Sequence, residues 1–183
     1  MKKRQINNPY RPKNNVKNLI DVAQQGMLES FLRANKAIVF DFSALKCFNS
    51  CSINHFDNFL ASDKDFIGKI KQVFELVHKL SSKTVAEFFD VNNNFRHCHK
   101  IDGDKENLVQ KVLEKLYSDS RYILQNYDGE FFYQVGYEKG VRLIGTISGN
   151  IFKVLIVDYF HSLSPDEKLN TRSPKTNNYS VDF

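Results

Sequence analysis

The chain contains no tryptophan, and only 8 glycines and 4 prolines occur among its 183 residues. Collagen-like and proline- or glycine-rich low-complexity sequence is therefore excluded. No run approaches ~20 consecutive apolar residues, and polar, asparagine-rich sequence follows the basic start, so we expect neither a membrane span nor a secretory leader. The chain has three cysteines, an odd number, which does not suit a disulfide framework in a chain with a large core. We therefore expect reduced thiols and a cytoplasmic protein.

Aromatic and aliphatic residues are abundant. The chain has 16 phenylalanines and 8 tyrosines, and 42% of its residues are apolar, which is ample for a packed core. The length fits a single folded domain flanked by two terminal segments. We expect a flexible basic arm at residues 1–15, a single domain at 16–165 and a flexible, polar C-terminal tail at 166–183.

Positive charge is concentrated at the start of the chain. The formal net charge is +5, yet the first 20 residues carry six basic side chains and no acidic one, so the rest of the chain sums to −1. A basic arm can follow a phosphate backbone or bind a partner, and it can equally be a solubilising tail. The residues of the arm that we assign to nucleic-acid binding are Lys2, Lys3, Arg4, Arg11 and Lys13.

Apolar periodicity predicts helices in the first two thirds of the chain. Spacing of three and four residues indicates amphipathic helices at 16–33, after Ser62, and from the Asp102-Gly103-Asp104 turn onward, with a short helix at 84–89. Residues 37–45 alternate and favour a half-buried strand. In the helix after Ser62, Asp63 or Asp65 can act as the cap and Ser81-Ser82 closes the helix. Its predicted apolar stripe comprises Phe66, Ile67, Ile70, Val73, Phe74, Val77 and Leu80.

The last third of the chain turns to β structure. Residues 131–137 and 141–147 alternate, Gly149-Asn150 is typical of a tight hairpin turn, and 151–160 is almost uniformly apolar. Such a strand cannot lie at a solvated edge, so we expect it to be central in the sheet. The fold class predicted is α+β, with N-terminal helices packed on a C-terminal antiparallel β-sheet.

Basic and imidazole side chains cluster at 96–100. If this segment is extended, His97 and His99 point to one face, where two imidazoles could hold a transition metal together with a carboxylate such as Asp158. The same residues could form a basic or acid–base patch, or simply pack in a strand. We assign Arg96, His97, His99 and Lys100 to nucleic-acid binding and expect no metal and no cofactor.

A second group of polar residues lies in the C-terminal hairpin. Arg142 stands on one strand, and the long apolar strand ends at Asp158 and His161. An imidazole titrates near neutrality and can act as an acid or a base, while a guanidinium can hold a phosphate or stabilise developing charge.

This hairpin resembles the closing strands of RelE/ParE-superfamily toxins over about residues 129–161. The shared features are an Arg on one strand, a Gly-Asn turn, an aliphatic strand and a terminal His. The resemblance implies metal-independent cleavage of mRNA on the ribosome, with Arg142 as phosphate binder, His161 as acid/base and Tyr133 as a neighbour. It also implies an antitoxin or another protein partner, and no membrane partner is expected.

Residues 96–99 and the Asp-x-x-His strand end also resemble small uncharacterised proteins of mobile elements. Three hypotheses therefore stay open: a toxin-like ribonuclease, a non-catalytic nucleic-acid-binding or protein-interaction module that uses the basic arm, and a metal-dependent enzyme that uses His97, His99 and Asp158.

The first prediction concerns metal. We expect the purified chain to hold no stoichiometric zinc after dialysis, because His-x-His without a third ligand nearby in sequence is a weak metal motif. Elemental analysis checks this, and one retained zinc per chain would make His97 and His99 ligands.

Overall fold

The computed structural model describes Met27 and residues 35–89, 97–118, 131–137, 140–164 and 177–183. Several predictions fall outside these residues. They are the helix at 16–33 apart from Met27, the basic arm with Lys2, Lys3, Arg4, Arg11 and Lys13, residue Arg96, and the tail between 165 and 176.

The described residues form seven strands, three α-helices and one 3₁₀ turn. The strands are β1 (Val39–Asp41), β2 (Ser52–Ile53), β3 (Phe56–Asp57), β4 (His99–Lys100), β5 (Tyr133–Gly136), β6 (Arg142–Ser148) and β7 (Ile151–Asp158). The α-helices are α1 (Asp63–Leu80), α2 (Val85–Phe89) and α3 (Gly103–Tyr117), and a 3₁₀ turn covers Leu45–Phe48. Within the described residues, no helix has the length and apolar composition that crossing a bilayer requires.

Five strands form the main sheet, in the order β1-β7-β6-β5-β4. The fold is α+β, and β5, β6 and β7 form the antiparallel meander that the sequence predicts. β7 has a neighbour on each side, as its apolar sequence requires. The sheet is nevertheless mixed rather than antiparallel throughout, because β1 pairs with β7 in parallel, with Val39 opposite Ile151.

The hairpin between β6 and β7 has two features that depend on its sequence. Gly149 takes the left-handed conformation that a tight turn needs, with φ 63°. The register shifts between Ile144 and Gly145, and a Cβ at Gly145 would collide with the backbone carbonyl of Lys153. This bulge therefore requires glycine at position 145.

Side chains cap the starts of α1 and α2. Ser62 precedes α1 and its Oγ accepts a hydrogen bond from the Asp65 N–H at 3.2 Å. Thr84 and Glu87 form a reciprocal pair before α2: the Thr84 N–H donates to Glu87 Oε2 at 2.8 Å, and the Glu87 N–H donates to Thr84 Oγ1 at 3.2 Å. Local sequence thus fixes where both helices begin.

The sheet separates two hydrophobic clusters. On one face, Val73, Leu76 and Leu80 of α1 pack against residues of the sheet that include Leu143 and Val157. On the other face, the apolar side chains of α3 pack against residues that include Ile144 and Ile156. Both faces of β6 and β7 are consequently covered over most of their length.

The predicted apolar stripe of α1 is only partly buried. Val73 and Leu80 belong to the core, and so does Leu76, which the stripe omitted. Ile67 and Phe74 are exposed instead. The core lies on a face of α1 rotated away from these two side chains, so the prediction that one stripe contains all the apolar residues is wrong for them.

The end of the chain is held against the body, although the sequence predicts a flexible tail at 166–183. The Ser50 N–H donates to the Val181 carbonyl at 2.8 Å, and Tyr179 and Leu60 exchange backbone hydrogen bonds of 2.8 and 3.0 Å. Phe183 contacts the rings of Phe48 and Phe66, each at 6.3 Å between centroids. The prediction of a flexible tail is therefore wrong for residues 177–183. Their polar sequence misled it, because backbone pairing depends little on how polar the side chains are.

The second prediction concerns this C-terminal contact. Val181 is buried, so Val181→Ala should lower the free energy of unfolding by about 1–2 kcal/mol, since about two buried carbon groups lose their packing. Ser180 is exposed, and Ser180→Ala should change the free energy of unfolding by less than about 0.5 kcal/mol. Urea unfolding measures both, and equal effects would contradict the packed position of Val181.

Candidate functional site

Arg142 and Asp158 lie opposite each other where β6 begins and β7 ends. Residues opposite each other in an antiparallel pair share a face of the sheet, so the two side chains project to the same side. Arg142 is 2% exposed and Asp158 is 0% exposed. The Arg that the toxin resemblance offers as a phosphate binder is therefore inside the protein.

The backbone around Arg142 accommodates its side chain. A Cβ at Gly136, opposite on β5, would collide with the Arg142 side chain, so glycine leaves the space that the guanidinium stem fills. Arg142 Nη1 donates to the carbonyls of Gly140 at 3.1 Å and Val141 at 3.2 Å. Burial lowers the pKa of Arg142 from its ordinary value, and the charge of Asp158 offsets part of this effect.

Asp158 organises the turn that follows β7. Its Oδ1 accepts hydrogen bonds from the N–H groups of Phe160 at 3.2 Å and Ser162 at 2.8 Å, and its Oδ2 accepts one from Leu163 at 2.9 Å. Burial raises the pKa of Asp158, while these three donors and Arg142 act in the opposite direction. Asp158 thus has a structural role that accounts for its position.

Two further residues complete this buried polar group, and the sequence analysis missed both. Asn58 Nδ2 donates to the Val157 carbonyl at 2.6 Å, and Asn58 Oδ1 accepts from the Tyr159 N–H at 2.9 Å. Ser162 Oγ donates to the Asp57 carbonyl at 2.8 Å. Neither residue stands in a recognisable motif, because each binds backbone about a hundred residues away.

Tyr133 does not join Arg142 in one site. Tyr133 lies opposite Gly145, while Gly136 lies opposite Arg142. Successive residues of a strand alternate between its faces, and Tyr133 and Gly136 are an odd number of positions apart, so the Tyr133 side chain projects from the other face of the sheet. His161 is half-buried and takes a left-handed conformation, with φ 61°. Asp158 fixes the turn on both sides of it. Of the three predicted catalytic residues, Arg142 and Tyr133 thus occupy opposite faces.

The described part of the predicted cluster, residues 97–100, lies at the edge of the sheet. His99 and Lys100 form β4 and are exposed, while His97 precedes the strand and is half-buried. Two strands, β5 and β6, separate β4 from the strand that carries Asp158. Over the parts of the chain that the structure describes, no group of three or more His, Cys, Asp or Glu is arranged to hold a metal.

Among the residues that the structure describes, lysines lie over aromatic rings at three places. Lys69 Nζ is 4.2 Å from the ring centroid of Phe160, and Lys79 Nζ is 4.4 Å from that of Tyr137. The third pair is Lys100 over Phe131, at 3.2 Å. Phe160 follows β7 and Tyr137 follows β5, two strands that run in the same direction, so the first two pairs lie at one end of the sheet.

A protein-family model described as Uncharacterised protein UU032 matches residues 43–182. The match spans β2 to β7, the three helices and most of the C-terminal segment, and it leaves β1 and the basic arm outside. No curated protein and no solved structure matches the chain. The resemblance to RelE/ParE toxins stays a prediction.

The third prediction follows from the burial of Arg142. Arg142→Ala should lower the free energy of unfolding by about 2–4 kcal/mol, because it leaves a cavity beside Gly136 and removes the donor that the Gly140 and Val141 carbonyls share. Lys111→Ala, which removes an exposed positive charge from α3, should change it by less than about 0.5 kcal/mol. Urea unfolding measures both variants. If Arg142→Ala were as stable as Lys111→Ala, Arg142 would be free for another role.

Proposed function

The chain belongs to the Uncharacterised protein UU032 family, and we propose that it is a non-catalytic nucleic-acid-binding protein whose basic arm at residues 1–15 supplies most of the phosphate contacts. The burial of Arg142 is the observation that carries the choice. A ribonuclease of the resembled type needs this guanidinium at the scissile phosphate, whereas it is 2% exposed and donates to backbone carbonyls.

Charge distribution supports the assignment to the arm. Six basic residues and no acidic one occur in the first 20 positions, and the remainder of the chain is close to neutral. Neutralising phosphates releases counterions, which is the main source of sequence-independent affinity for nucleic acid. The arm is the part of this chain in which positive charge is most concentrated.

The folded body supports a single-stranded partner. Lysines over aromatic rings combine a cation for a phosphate with a ring against which a base can stack. Two such pairs, Lys69 with Phe160 and Lys79 with Tyr137, stand at the same end of the sheet. His99 and Lys100 add exposed polar groups on the β4 edge. Single-stranded RNA is the partner that we infer, with a cytoplasmic location that the three free thiols favour.

The fourth prediction tests the arm against a matched removal of charge. A labelled 20-nucleotide oligouridine should bind the full chain, and replacing the five basic residues of the arm by Gln should weaken binding roughly 10- to 100-fold at 0.1 M salt. The slope of log Kd against log salt should fall by up to about 3.5, since each phosphate neutralised on a single strand contributes about 0.7 to that slope. Fluorescence anisotropy measures both quantities.

The control variant removes five positive charges from the body instead. The five exposed lysines replaced by Gln are Lys36, Lys64, Lys71, Lys105 and Lys111. This variant should keep most of the affinity of the wild type. Equal weakening in the two variants would show that only net charge matters and would contradict a dedicated arm, as would a wild type that does not bind.

The same samples distinguish binding from catalysis. We expect the RNA to remain intact on a denaturing gel after long incubation with the wild type. Cleavage that disappears in His161→Ala would instead favour the toxin-like ribonuclease, because a general acid or base contributes about 10²–10⁴-fold to such a reaction.

A further inference from the structure

Two large apolar side chains stand exposed on the solvent side of α1. Ile67 is 68% exposed and Phe74 is 67% exposed, although α1 already buries Val73, Leu76 and Leu80. Seven residues are close to two helical turns, so Ile67 and Phe74 lie on the same side of the helix, ~10 Å apart along its axis. An apolar pair on the solvent side of a helix that already packs on a core indicates a second contact surface.

Polar side chains continue the same side of the helix toward both ends. Asp63 precedes Ile67 by four residues, His78 follows Phe74 by four, and both are exposed. Spacings of four, seven and four keep all four residues on one side of an α-helix. We call Asp63, Ile67, Phe74 and His78 the outer stripe of α1. A carboxylate thus begins the outer stripe, an imidazole ends it, and the apolar pair lies between them.

A glycine stands beside the outer stripe, inside α1. Glycine lowers the stability of a helix interior relative to alanine, so its presence there usually has a packing reason. Among the residues that the structure describes, a Cβ at Gly68 would meet no heavy atom within 4 Å, so packing within the chain does not require this glycine. The missing side chain leaves room for the backbone of another helix to approach α1 closely.

We propose that two copies of the chain form a dimer through antiparallel packing of their α1 helices. Placing Ile67 of one copy beside Phe74 of the other puts the two-fold axis between positions 70 and 71. Asp63 and His78 are equally far from that axis, so the same register places Asp63 of one copy beside His78 of the other. The axis repeats each contact. Four apolar side chains therefore meet around it, and a carboxylate–imidazole pair lies at each end.

The charges of α1 favour this direction over a parallel pair. A parallel pair would place Asp63 beside Asp63 and His78 beside His78, and it would align the two helix dipoles. In the antiparallel pair, the acidic start of each helix meets the end that carries His78 and Lys79. Lys71 lies near the axis in both directions, and Glu75 of the same helix, at 4.0 Å, offsets its charge. A second copy therefore has the charge pattern that fits the outer stripe.

The dimer goes beyond the proposed function and does not depend on it. One helix pair makes a small interface, for which we expect a dissociation constant on the order of 10–100 µM. A dimer carries two basic arms, so an RNA long enough to reach both would bind with avidity. Failure of RNA binding would leave the dimer intact, and failure of the dimer would leave binding by a single arm intact.

Sedimentation equilibrium of the full chain tests the dimer without RNA. The wild type should change from monomer to dimer between about 5 and 500 µM, as expected of a small interface. Phe74→Asp places a carboxylate in the apolar contact, and Gly68→Leu fills the space that close approach needs, so each should weaken the dimer at least about tenfold. Both positions are exposed, so circular dichroism should show that each variant stays folded.

Leu45→Asp is the matched control for added charge. Leu45 is 64% exposed on the 3₁₀ turn, so this variant places the same carboxylate at a similarly exposed position outside α1 and should dimerise like the wild type. Equal weakening by Leu45→Asp and Phe74→Asp would overturn the proposal, as would normal dimerisation of Phe74→Asp or Gly68→Leu. A wild type that stays monomeric up to about 500 µM, or that forms assemblies larger than a dimer, would overturn it as well.

Cross-linking determines the direction of the two helices. Asp63→Cys and His78→Cys are prepared in separate full chains, mixed, and treated with a short bis-maleimide. In the antiparallel dimer the two new thiols of a mixed pair are neighbours, whereas two copies of one variant hold them ~22 Å apart along the helix axis. The native thiols compete little, because all three are buried and burial raises the pKa of Cys47 to about 12 and of Cys51 and Cys98 to about 11.

The yields of covalent dimer then decide between the two directions. A yield in the mixture at least about tenfold above that of either variant alone supports the antiparallel dimer, because a linker that cannot span two thiols does not join them. A parallel pair would give the reverse result, with each variant linked to itself, and would overturn the proposal. Equal yields in all three samples would also overturn it.

Discussion

The hairpin of β6 and β7 is buried on both faces, and the rest of the fold is arranged around that constraint. The core under α1 takes alternate side chains of these strands, and the core under α3 takes the others. A polar side chain in such strands has no access to water and must find its partners inside the protein. Asp158 and Asn58 meet this requirement with backbone groups, and Arg142 meets it only in part: its Nη1 donates to two carbonyls, while its buried Nε has no hydrogen-bond partner among the described residues.

The same constraint changes the meaning of the polar residues in the hairpin. An Arg on one strand and an Asp at the end of the next look like a site that faces solvent, because strand ends often do. Here the segment after β7 turns back over the sheet, and the Asp158 carboxylate holds that turn through three N–H groups. The residues that remain at the surface, such as Lys69, Lys79 and Lys100, are those that a binding partner can reach.

Local features of the fold follow from the sequence, and long-range ones do not. The end of α1 before Ser81, the short helix α2 and the turn at Gly149-Asn150 depend on neighbouring residues and are predicted well. The cap of α1 is Ser62 rather than Asp63 or Asp65, which the sequence favours. The parallel pairing of β1, the attachment of Val181 to Ser50 and the hydrogen bonds of Asn58 join residues about a hundred positions apart. No spacing rule in one sequence encodes such contacts. The burial of Arg142 involves nearer residues, Gly136 on β5 and Asp158 on β7, but it could not be predicted because it depends on the side-chain space that the paired strands create.

The parallel pairing of β1 with β7 has a consequence for how the protein reaches this fold. Val39 meets Ile151, which lies more than a hundred residues later in the chain, so the closing of that loop cannot be assisted by local contacts. Native contacts with such long sequence separation slow the folding of small domains. During synthesis, β1 leaves the ribosome long before its partner strand exists. Until then the exposed aromatic and aliphatic residues at 38–42 are a surface that a chaperone could occupy.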